Sequence, residues 1–153
     1  MRIKFDIKRI PSMLLLLSVC SSAVLAQTTI RAGAEVKVKG QVSVQGPFVN
    51  NSDKLNVNEA QLTLTGTNQS LTTSSPLALQ GLTVNGGGTK PFLGDWNITN
   101  NLVLTNGVVS VASGKILYTG NTTLTGSTTS FINGPMYQRG SGSRFFPIGT
   151  GNV

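Results

Sequence analysis

The sequence has no histidine, and its only cysteine, Cys20, lies close to the amino terminus. Without an imidazole or a thiol further along, Ser–His and Cys–His nucleophilic arrangements are excluded there. Thiolate or imidazole metal sites and internal disulfides are excluded for the same reason. Acidic groups are nearly as scarce: beyond residue 26 only Glu35, Asp53, Glu59 and Asp95 remain. They lack the spacing of a calcium loop, and glycoside hydrolysis needs two carboxylates facing each other at close range. The expectation is a non-catalytic chain with no cofactor and no metal.

Charge of either sign is thin. Asp, Glu, Lys and Arg make up 11% of the 153 residues, against roughly 25% in ordinary soluble domains. The formal net charge is +7, but Arg2, Lys4, Lys8 and Arg9 sit in a short leader. Beyond it, eight basic residues from Arg31 to Arg144 face the four acids and form no dense run. A nucleic-acid or anionic-membrane role requires a cluster. No nucleic-acid partner is expected, and the basic residues read as a solvated surface.

The leader has the layout of a secretory signal: a basic start, an apolar run over 13–19 that continues less strictly to 25, then Val24-Leu25-Ala26 before Gln27. The run is too short for a resident membrane helix. Residues 1–26 are therefore expected to be a signal peptide handled by the export machinery, leaving no transmembrane segment in the mature chain. Acylation at Cys20 is the alternative, although Val19 stands where that processing prefers a small residue.

What the chain does have is Thr, Ser, Asn and Gly, all weak helix formers. Apolar residues alternate in pairs: Val36/Val38, Val42/Val44, Leu55/Val57, Leu62/Leu64, Leu77/Leu79, Leu82/Val84, Leu102/Leu104 and Val109/Val111. Another pair falls at Ile116 with Tyr118, or at Leu117. Alternation puts every second side chain on one face of a strand. Asn-Gly and Ser-Gly clusters turn the chain between strands. The stride from one pair to the next is about six or seven residues, so three strands make a coil of about 18–22 residues, a solenoid period. The fold class predicted is all-β, a β-solenoid over 27–134. Asn85-Gly86, Asn106-Gly107 and Asn133-Gly134 are also hairpin signals, which makes an antiparallel β-sandwich the alternative. The loop over 85–94 interrupts the stride and is expected to bulge outward. Asn51, Asn68, Asn85, Asn101 and Asn121 recur at turns and could stack as a ladder along the shaft.

Four stretches together resemble the N-terminal repeat region of large exported surface proteins of Bacteroidetes-type bacteria, adhesin-like substrates of the type IX secretion route. They are LTLTG at 62–66, LQGLTVNGGG at 79–88, DWNITNNLVLTNG at 95–107 and FINGPMYQRGSGSRFFPIGTGN at 131–152. The resemblance implies a right-handed coiled shaft, export beyond the inner membrane and a longer parent protein. Residues 135–153 then read as a linker and the start of a following module. Such proteins carry a C-terminal sorting domain that does not appear before Val153, so the sequence is expected to be a fragment.

Several residues invite a site. Gly86-Gly87-Gly88-Thr89-Lys90 approaches a phosphate loop, but Thr separates Gly88 from Lys90 and no helix follows, so a flexible corner is expected. Gly140-Ser141-Gly142-Ser143-Arg144 reads as a linker rather than an anion nest. Tyr137, Arg139 and Arg144, with Phe145 and Phe146, interleave aromatic and basic groups that could touch a glycan or a nucleic acid, although the aromatics read first as the start of the next module's core. Trp96 could stack on a sugar ring or pack inside the shaft. The function expected is a non-catalytic part of a secreted or cell-surface adhesin-like or structural protein, with surface glycans or other extracellular proteins as partners. The alternatives are the leading segment of a carbohydrate-active β-helix enzyme and a carbohydrate-binding module.

Overall fold

The computed structural model describes residues 15–18, 23–25, 27–120, 123–141 and 143–150. Most of the leader, Cys20 and the proposed cleavage position at Ala26 lie outside the described residues, as does Asn121.

The described residues contain thirteen strands and no helix: β1 (Leu15–Ser18), β2 (Ala23–Leu25), β3 (Thr28–Ile30), β4 (Val36–Val44), β5 (Phe48–Asn50), β6 (Leu55–Leu64), β7 (Leu71–Thr73), β8 (Leu77–Leu93), β9 (Trp96–Val111), β10 (Leu117–Thr119), β11 (Thr123–Thr125), β12 (Ile132–Asn133) and β13 (Met136–Gln138). All the ladders between them are parallel. Parallel neighbours cannot be joined by tight hairpins, so each strand pairs with the strand one circuit later. The chain is a β-solenoid of about five turns, as the stride predicts. The antiparallel sandwich is ruled out. Asn85 and Asn106, read as possible hairpin tips, are register partners in adjacent coils.

Each coil has three faces. The first holds 36–39 of β4, the start of β6, 77–79 of β8, 96–98 of β9, then β10 and β13. The second stacks 42–44, 62–64, 82–84 and 102–104, with β11 beyond. The third holds β3, β5, β7, the ends of β8 and β9, and β12. Register partners in adjacent coils lie 19 to 23 residues apart.

Alternation fills the shaft. Val42, Leu62, Leu82 and Leu102 form one interior column, and Val44, Leu64, Val84 and Leu104 the next. Burying each such side chain contributes on the order of 1.5–3 kcal/mol. Leu77, Trp96 and Leu117 make a column on the first face. Leu117 and Thr119 point inward, and Tyr118 points out. The parity left open at 116–118 is thus settled by Leu117 stacking on Trp96.

The expected outward loop at 85–94 is a bulge within a continuing strand. Between Asn85 and Thr89 lie three residues, against one between their partners Asn106 and Val108. Gly87 and Gly88 accommodate the excess at φ of 66° and 62°, where side chains other than glycine are strained. Among the described residues the turn asparagines do not form a continuous ladder. Asn51, Asn68 and Asn85 are exposed, and Asn68 Oδ1 accepts a hydrogen bond from the Thr89 N–H of the next coil at 2.9 Å. The stack also runs past residue 134. β13 pairs with β10, and Ile148 bridges back to Ile132.

Candidate functional site

Interior and exterior separate the residues singled out from the sequence. Trp96 is 1% exposed. Its ring packs against Phe92, with centroids 5.1 Å apart, and against Phe48 at 6.1 Å. A sugar cannot reach it, so Trp96 belongs to the shaft and the stacking role fails on burial. Tyr137 and Arg139 are on the outside, while Arg144 is half-buried. The Arg144 guanidinium donates from Nη2 to the Ser141 carbonyl at 3.2 Å and lies against Gly140.

The parallel register adds a residue missed in the sequence. Tyr118 pairs with Tyr137 across adjacent coils. Their rings meet edge-on with centroids 5.9 Å apart, and they are 38% and 53% exposed. Asn97 is the partner of Tyr118 in the preceding coil and is also exposed. Two positions on from Tyr118, Gly120 offers no side chain, and the Arg139 N–H donates to the Thr119 carbonyl at 2.9 Å. The outcome is an exposed aromatic pair on the first face, with Asn97 and Arg139 at neighbouring exposed positions. The signal for Tyr118 was its alternation against Leu117, which needed the column above and below to resolve.

The opposite end of the same face carries charge. Lys39 Nζ lies 2.6 Å and Lys37 Nζ 3.6 Å from the Glu59 carboxylate. The hydrogen bond from Lys39, aided by the charges of both lysines, holds the Glu59 carboxyl below its ordinary value. Beside them an open cleft of about 410 Å³ is lined by Glu35, Val36, Lys37, Lys54 and Asn56. Mixed charge favours neither anions nor cations there. Asp95 Oδ1 accepts from the Ile116 N–H at 3.2 Å. The carboxylates Glu59 and Asp95 are thus each engaged with protein donors. Among the described residues no group of three or more Asp, Glu, Cys or His is gathered to hold a metal.

Lys90 departs most from expectation. It is not on the solvated surface but fully buried, in register with the interior Val109. Its Nζ donates to the Gly87 carbonyl within the bulge. Burial pushes its amine below the ordinary value. The corner between the second and third faces is fastened from inside at two other levels. Gln69 Nε2 donates to the Val44 and Gly46 carbonyls at 3.1 and 2.7 Å. Ser130 Oγ donates to the Thr105 carbonyl at 3.1 Å and accepts from the Gly107 N–H at 3.3 Å. Lys90 therefore serves the corner and not a phosphate.

These coils define the class: a parallel β-solenoid with one exposed aromatic pair on its first face. No family model, curated protein or solved structure matches the chain.

Proposed function

We propose that the chain is the non-catalytic N-terminal part of a secreted or cell-surface adhesin-like protein, a stalk that displays its outer faces. The observation that carries this reading is the division of the solenoid into a largely apolar shaft and an outside built mainly from Thr, Ser, Asn and Gln. The resemblance to the repeat regions of type IX secretion substrates and the leader-like residues 1–26 support it. Engagement of Glu59 and Asp95 by protein donors speaks for display over chemistry.

A carbohydrate-binding reading has one observation in its favour, the exposed Tyr118–Tyr137 pair beside Asn97 and Arg139. Aromatic faces pack against the apolar side of a pyranose, and the flanking groups can hydrogen-bond its hydroxyls. Surface glycans are then the partner.

Labelling of intact cells with an antibody against the chain tests the surface assignment. External protease should remove the label, and mass spectrometry should find Gln27 as the mature N-terminus. A chain retaining Met1 inside the cell overturns it. For the glycan reading, Tyr118→Ala and Tyr137→Ala should each abolish retention on a glycan array, with Trp96 left untouched. Retention unaffected by both substitutions, or absent from the unmodified chain, removes that reading.

A further inference from the structure

The second face is built to a tighter standard than the fold requires. From Val42 through Leu62 and Leu82 to Leu102 its register advances by twenty residues at every coil. On the third face the interval varies from 19 to 23 residues. The register shifts at 37/39, 79/81 and 85/89 fall outside 42–44, 62–64, 82–84 and 102–104, and the shift at 84/85 falls at their edge. A solenoid needs only apolar columns inside. The second face departs from that interval only at its ends, with 19 residues from Ala23 to Val42 and 22 from Leu102 to Leu124.

The outward side chains on that face form an ordered array. Ser43, Thr63, Thr83 and Val103 are successive register partners, and Thr125 follows Val103. Gln, Thr and Asn, with Gly at 81, flank this column, and none of the outward positions on the face holds a charged or an aromatic residue. The hydroxyls of Thr63 and Thr83 make no hydrogen bond among the described residues. β-Branched side chains are stiff at χ1, so their methyl and hydroxyl groups are held in place before any ligand arrives.

From the spacing, the neutrality and the unbroken register over 42–104 together, we infer that the second face binds ice. Strand geometry sets the array at about 4.8 Å from coil to coil and about 6.6 Å between outward positions along a strand. These intervals are close to the oxygen repeats on a prism face of ice. A charged side chain would order water in a pattern incompatible with that lattice, and the face has none. A crystalline polysaccharide would be met by a row of aromatic rings, and the face has none of those either. Threonine hydroxyls hold waters at low entropic cost, while the methyl groups between them exclude the liquid. The strand-forming preference of threonine explains its abundance, but not an unbroken twenty-residue register over four coils of one face.

The inference does not depend on the glycan or export readings. It is tested with the purified chain and ice as the only probe, by following recrystallisation in frozen sucrose and the shape of single crystals near the melting point. The unmodified chain should keep grains small and facet the crystals. Thr83→Tyr retains a strong strand former yet raises a ring above the array, and should abolish both effects with unchanged circular dichroism. Thr72→Lys on the third face should leave both effects intact. Ice growth unaffected by the unmodified chain, or arrested equally by Thr83→Tyr, overturns the inference.

Discussion

At the scale of single residues, Lys90 has the clearest consequence. Its amine is buried and pushed below the ordinary lysine value of 10.5. Between the folded-state value and 10.5 the unfolded chain holds a proton that the folded chain has released, so stability rises with pH across that window. Chemical denaturation at stepped alkaline pH should show this rise. In Lys90→Met it should vanish, because Met fills a similar volume without a charge to desolvate. Gly87, whose carbonyl loses its donor, is partly exposed, so water can replace the amine.

Glycine gives a second prediction at this scale. Gly114 at φ 71° has open space around it, whereas a Cβ on Gly88 at φ 62° would meet the Asn68 carboxamide. Gly114→Ala should cost about 1 kcal/mol from backbone strain alone. Gly88→Ala should cost more, and it should also break the hydrogen bond from Thr89 to Asn68. Thermal melts of the two variants check the order.

At the scale of elements, the interior columns carry the stability. Leu82 lies between Leu62 and Leu102 and is fully buried, so Leu82→Ala should cost about 2–5 kcal/mol. Trp96→Ala should cost about 3–5 kcal/mol by emptying the space beside Phe48 and Phe92. Urea titration measures both. The loss at Trp96 should appear in folding while Tyr137→Ala leaves the melt nearly unchanged.

Much of this was legible in the sequence and some was not, for physical reasons. Alternating pairs such as Leu62/Leu64 and Leu82/Val84 mark strands, and their stride marks winding, because period two and a fixed step are local properties. The direction of Trp96, Lys90 and Tyr118 is not local. Trp96 turns inward because the aromatic rings of Phe48 and Phe92, from two other coils, leave room for it. Lys90 lies inward in register with Val109, because the bulge adds an even number of residues and so keeps the alternation, and its Nζ finds the Gly87 carbonyl to bond. Tyr118 is turned out by Leu117, which fits beneath Trp96. Each outcome depends on a neighbour about twenty residues away.

At the scale of the whole molecule, the account rests on the parallel stacking of successive coils. Spin labels introduced at 43 and 63, 43 and 83, 43 and 103, and 43 and 125 place one probe at each successive level of the second face. Pulsed and continuous-wave electron resonance on these double variants should give separations that grow by about 4.8 Å at each coil, reaching roughly 19 Å for the last pair. Separations that rise and fall along the series, with 43 and 103 closer than 43 and 83, would contradict the winding and return the chain to an antiparallel arrangement.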